Sequence, residues 1–112
     1  MKKKTEKEII CPVDYAFKRI GGKYKGQIIW YIHSREGVLR YGELKKMIND
    51  ISPKMLTQTL RELEQDNLIK RKVYQEVPPK VEYSLTTTGV GLISFIGHLA
   101  EWAENQMSKE KK

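Results

Sequence analysis

Four hydrogen-bond donors recur along one short stretch of the chain: Lys54, Thr57, Gln58 and Arg61, within "ISPKMLTQTLRELEQDNLIKR", residues 51–71. At about 100° per residue they fall on one side of a helix, opposite Leu56, Leu60 and Leu63. A glutamine amide matches the edge of adenine, and lysine or arginine matches guanine or phosphate. Threonine offers a hydroxyl, or a methyl to lie against thymine. The other residue with chemistry of its own is Cys11, the single cysteine, directly before Pro12. Each has a bland reading beside it: a polar helix face is most often solvated, and a lone cysteine is usually an inert small hydrophobe.

The rest of the inventory excludes more than it offers. One cysteine makes no intramolecular disulfide and no cysteine-rich zinc site. Neither His33 nor His98 has a second histidine at ligand spacing, so no metal and no cofactor are expected. No Ser/His/Asp or Cys/His set and no phosphate loop stand out, which argues against an enzyme. The apolar runs are too short for a bilayer, and none follows the basic N-terminus as a signal segment would. The expectation is a cytoplasmic protein with no membrane partner.

The elements that must hold the donor face can be read along the chain. A length of 112 residues gives one domain with a modest core. Residues 1–8 have no apolar content apart from the initial methionine and read as a mobile basic tail, and 108–112 as a second mobile tail. Between them, 9–107 form the single domain. Pro12 opens a short helix that Gly21 and Gly22 close. "KYKGQIIWYIHS" gives a second helix, "VLR" a short strand and "RYGELKKMIND" a third helix. Ser52 is a good N-cap with Pro53 in the first helical position, and Asn67 suits a left-handed stop. "LIKRKVYQEV" and "KVEYSLT" are strand-forming runs around Pro78 and Pro79, a hairpin with a stiff tip. Thr86 to Thr88 cap a last helix, 86–107.

Two helices with a tight joint, the second followed at once by a hairpin, describe a winged helix-turn-helix. The fold class is α+β and mostly helical, with a two-to-three-stranded β wing. In such a pair the N-terminal part of the second helix enters the major groove of double-stranded DNA. Charge agrees: residues 1–85 carry 18 Lys/Arg against 11 Asp/Glu, the whole of the +7, whereas 86–112 carry three of each. Glu62, Glu64 and Asp66 would be repelled by phosphate, so contact should fade toward that end of the helix. Lys80 stands at the hairpin tip within reach of backbone or minor groove. Arg71 and Lys72 alternate sides of their strand. In the neutral part, Leu92, Phe95, Ile96, Leu99, Trp102 and Ala103 make an apolar side wider than one core contact needs. Such a side fits a homodimer interface, and two recognition helices about 34–36 Å apart would then demand a palindromic operator.

"CPVDYAFKRIGGKYK", "RYGEL", "ISPKMLTQTLRELEQDNLIKR", "VPPKVEYSLTTTG" and "LAEW" together resemble the HxlR-type winged helix-turn-helix transcription regulators, from about Cys11 to Trp102. The resemblance implies a bacterial homodimeric regulator whose N- and C-terminal helices form the dimer interface. It places Lys54, Thr57, Gln58 and Arg61 on the recognition helix, with a phosphate at the Ser52 start. Lys80 and one of Arg71 or Lys72 belong to the wing, and Arg40 and Lys23 hold the DNA backbone from the preceding helices. In some members the cysteine of "CP" senses oxidants or electrophiles, which implies that role for Cys11. Tyr24 stands where the family usually has Trp, and Asn67 where it usually has Gly; neither change threatens the fold. Two alternatives stay open. One is a winged-helix module for protein or RNA, and the other a multidrug-type repressor with Tyr15, Phe17, Tyr24, Trp30 and Trp102 lining a ligand pocket. The sequence names no inducer, operator or sign of regulation.

Overall fold

The computed structural model describes residues 9–111. The expected mobile tail at 1–8 lies outside them. The order is α1 (Pro12–Ile20), α2 (Lys25–Ser34), β1 (Val38–Arg40), α3 (Tyr41–Met47), α4 (Pro53–Gln65), β2 (Ile69–Tyr74), β3 (Lys80–Leu85), α5 (Thr87–Val90) and α6 (Ile93–Glu110). The strands form one antiparallel sheet in the order β1-β3-β2, with Leu39 opposite Tyr83 and Arg71 opposite Tyr83 on its other edge. "VLR" is therefore the third strand of the wing sheet.

The boundaries of α4 follow from local chemistry. Ser52 Oγ accepts from the Met55 N–H at 3.1 Å, and Pro53 supplies a fixed φ where no N–H is needed. At the other end Asn67 sits at φ 60°, and the Leu68 N–H returns to the Leu63 carbonyl at 2.9 Å. Asparagine tolerates that left-handed geometry, and the 6→1 bond satisfies a carbonyl the helix leaves open. Leu56, Leu60 and Leu63 are thereby turned inward and fully buried, beside Ile28, Ile29, Ile32, Leu39, Leu44 and Ile51. α2 runs through the centre of this core and packs against α4, α6 and the sheet.

Two expectations need correction. The single helix over 86–107 is instead α5 and α6, separated around Gly91 and Leu92. Two glycines in three residues, Gly89 and Gly91, weaken a helix by about 1 kcal/mol each, and the second stands at the break itself. The end is also later than Met107. α6 continues through Ser108 and Lys109 to Glu110, so most of the tail assigned to 108–112 is helical. Ser108 does not break a helix, and Lys109 in the last turn complements the helix dipole.

No helix among the described residues is long and apolar enough to cross a membrane. The described residues also contain no cluster of three His, Cys, Asp or Glu that could hold a metal ion.

Candidate nucleic-acid interface

Lys54, Thr57, Gln58 and Arg61 line one shallow depression together with Pro53. Lys54, Gln58 and Arg61 are exposed and Thr57 is half-buried. The sequence-derived donor face is therefore a single surface on α4. No ion pair involves Lys54 or Arg61 among the described residues.

Thr57 is held from α3, and Gln58 by a neighbour on α4 that is itself paired with α2. The Tyr41 hydroxyl, at the start of α3, donates to the Pro53 carbonyl at 3.1 Å and lies 3.3 Å from Thr57 Oγ1. A phenol has one proton and the carbonyl only accepts, so Thr57 donates to Tyr41. That leaves Thr57 a hydroxyl oxygen and a methyl for whatever meets the face. Gln58 Nε2 donates to Glu62 Oε2 at 3.2 Å, and the other oxygen of that carboxylate meets Lys25 Nζ from α2 at 3.1 Å. The Lys25 side chain is only 16% exposed, so this pair is better shielded than those on the surface. The Gln58 amide and then the Lys25 ammonium hold the Glu62 carboxyl below the usual range, against the opposing effect of burial. Glu62 is thus ionised at neutral pH, and its hold on Gln58 is lost only as pH falls through that depressed value.

The helix start offers fewer phosphate donors than its sequence implied. Pro53 has no N–H and that of Met55 is taken by Ser52 Oγ, which leaves the Lys54 N–H. The flanking cations divide into free and committed groups. Lys23 lies 2.6 Å from Asp50; this hydrogen-bonded pair holds the Lys23 ammonium above its ordinary value and Asp50 below its own. Lys80 is half-buried, 3.9 Å from Glu82, 4.0 Å from Glu76 and 4.2 Å from the centre of the Tyr74 ring. Tyr74 in turn donates to Glu82 at 2.9 Å. Lys72 is exposed on the same outer face of the wing, 4.8 Å from the Tyr74 ring centre, and makes no ion pair among the described residues. Arg71, one residue earlier, lies on the other face beside Tyr83. Arg40 is exposed at the N-cap of α3 and shares a cleft with Tyr41, Glu76 and the Pro78–Lys80 tip.

Sequence reasoning missed Tyr41, Lys25 and Glu62 as parts of this surface. The four-residue spacing of Gln58 and Glu62 is a readable helix pair. The reach of Tyr41 and Lys25 from other helices leaves no trace in local spacing.

The expected dimer residues separate into two groups. Ile96 is buried in the chain's own core and Leu92 packs against it. Phe95, Leu99 and Trp102 are 42%, 48% and 62% exposed, and Ala103 is half-buried. With Phe17 of α1 and Trp30 of α2, Phe95, Leu99 and Ala103 line an apolar groove. Of the five aromatics considered for a ligand pocket, only Phe17 and Trp30 reach it. Tyr24 is 3.4 Å from the Asp50 carbonyl, and Arg19 stacks on Tyr15. Cys11 is exposed at the N-cap of α1.

Residues 19–111 match the HxlR-like helix-turn-helix family. Among relatives, an uncharacterized HTH-type transcriptional regulator of Methanothermobacter thermautotrophicus is 44% identical over 97 residues, covering 87% of this chain and 72% of that protein. YdeP of Bacillus subtilis, an HTH-type transcriptional regulator, is 44% identical over 102 residues, 91% of this chain and 78% of that one. Among solved structures, the redox regulator HypR in its reduced form superposes with TM-score 0.82 at 40% identity, covering 90% of this chain and 98% of that one. Its oxidised form gives 0.79 at 43% identity, over 85% and 96%.

Proposed function

The chain belongs to the HxlR-like helix-turn-helix family of DNA-binding transcription regulators, and from that premise we propose that it reads a palindromic operator as a homodimer. The observation that carries the reading is the single surface of Lys54, Thr57, Gln58 and Arg61, with Thr57 held by Tyr41 of α3 and Gln58 by Glu62, itself paired with Lys25 of α2. Gln58 and Thr57 read bases, Lys54 and Arg61 supply charge, and Lys72 and Arg40 extend the phosphate track at the wing. Lys80 and Lys23 add little, because each already faces a carboxylate. The second copy covers the apolar surface of α1 and α6. In support, Phe95, Leu99 and Trp102 lie together on a helix with no excess charge.

Selection of bound duplexes from a random pool tests the whole reading. The expected product is an inverted repeat with half-site centres about 34–36 Å apart. Gln58→Ala should cost about 1–3 kcal/mol on that operator and relax preference at one base pair per half-site. Equal affinities of this variant and the wild type for specific and random duplexes would remove Gln58 from base reading.

A redox input is favoured by one observation, the exposure of Cys11 at the end of the helix that borders the dimer surface. Under an oxidant such as diamide two thiols lose two hydrogens and form a disulfide, between two copies or with a small thiol. The wild-type protein should then release its operator, and Cys11→Ser should keep binding under the same treatment. Release by the serine variant at the wild-type diamide concentration would exclude Cys11 as the sensor.

A further inference from the structure

We propose that Glu62, clamped by Lys25, is a specificity-determining positioning residue that sets Gln58 to read adenine and denies it guanine. The inference rests on the reading of Gln58 as a base contact and goes one step further, to how its choice is made. A glutamine amide has two N–H donors and one carbonyl acceptor. Left free, it can rotate to present a donor and the acceptor to adenine N7 and N6–H, or to offer its donors to guanine N7 and O6. Here one N–H is already given to Glu62 Oε2 at 3.2 Å.

An ionised carboxylate only accepts, so the reversed amide would set the Gln58 carbonyl against a negative charge. The remaining pair is one N–H and one carbonyl oxygen, the pair adenine requires. Guanine, which presents two acceptors, would receive one donor and face the carbonyl oxygen. Lys25 makes the arrangement persist. From a largely shielded position on α2 it meets the second carboxylate oxygen at 3.1 Å, so Glu62 stays ionised and faces one way. It also offsets a negative charge that would otherwise repel the nearby phosphates. A solvated Gln–Glu pair on an isolated helix has no such third partner.

The test is the base preference of bound DNA selected from a random pool by four proteins: wild type, Gln58→Ala, Glu62→Gln and the double variant. Glu62→Gln keeps the volume but can donate or accept, so it no longer dictates the Gln58 amide. Wild type should enrich adenine at one position per half-site. Glu62→Gln should lower the adenine-to-guanine ratio there by about five- to tenfold, the low end of what a bidentate contact discriminates. Loss of the carboxylate also frees the Lys25 charge, which raises affinity for all sequences alike, so the readout is the adenine-to-guanine ratio and not overall affinity. In the Gln58→Ala background the Glu62 change should move no base. Glu62→Ala, with its melting temperature recorded, provides a second variant with the same expectation. A Glu62 variant that changes affinity for all sequences alike, with the ratio intact, overturns the inference while leaving Gln58 as a base contact. An unchanged profile for Gln58→Ala overturns both.

Discussion

Leu99→Glu should convert the protein to a monomer at micromolar concentration and lower operator affinity by about 100-fold or more, since the two half-sites then lose their effective-concentration advantage. Leu99 is half-exposed between Phe95 and Trp102, on the outward side of α6. In a lone chain the new carboxylate stays in water and the core built on Ile96 is untouched, so the melting temperature of the monomer should be little changed. Between two chains the same carboxylate would be buried without a partner, which costs several kcal/mol. Light scattering and a binding titration on one sample measure both effects. A dimeric mass with full affinity would show that the second copy lies elsewhere.

The largest effect on stability is expected from the smallest change, Gly89→Ala. A Cβ at Gly89 would lie 2.1 Å from the Leu68 carbonyl oxygen and 3.1 Å from its carbon. Both atoms are backbone, and that carbonyl also accepts the Thr86 N–H at 3.1 Å. The junction has little freedom to give, because the Gly89 N–H is held by Thr86 Oγ1 at 3.0 Å and the Thr86 hydroxyl donates to the Asn67 carbonyl at 2.6 Å. Overpacking of this kind costs about 2–3 kcal/mol, and for a domain of this size the midpoint should fall by about 10 °C or more. Gly42→Ala is the control. Its Cβ would meet nothing within 4 Å, so better helix propensity in α3 should leave the midpoint equal or higher. Circular dichroism melts of the two variants side by side decide the matter, and equal midpoints would contradict the geometry.

Local chemistry was legible in the sequence, and contacts between elements were not. Ser52, Pro53 and Asn67 state the limits of α4 because a cap, a fixed φ and a left-handed stop act within a few residues of themselves. The donor face is legible for the same reason, since helical period alone brings Lys54, Thr57, Gln58 and Arg61 together. The division of the last helix is not written in its apolar period, which runs unbroken across Gly91 and Leu92. The need for glycine at 89 is set by a carbonyl twenty-one residues earlier, an approach that periodicity does not record. The net charge hides a related distinction. Lys23 and Lys80 count toward the +7 as fully as Lys54 does, yet Asp50, Glu76 and Glu82 reach them only once the chain has folded. Ile96 was grouped with Phe95 and Leu99 because one apolar side of a helix can serve two neighbours, and only the packing of α2 shows which residue serves which.

The seam at Gly89 also has a mechanical meaning. Asn67 and Leu68 follow the end of α4, Thr86 and Gly89 begin the segment leading into α6, and the two are tied by the Thr86 N–H on the Leu68 carbonyl and the Thr86 hydroxyl on the Asn67 carbonyl. Gly89 leaves no room there for a side chain of its own, so the end of α4 and the start of α5 are fastened backbone to backbone and through one short hydroxyl. A displacement of α5 therefore pulls directly on the end of α4, the helix that carries the donor face.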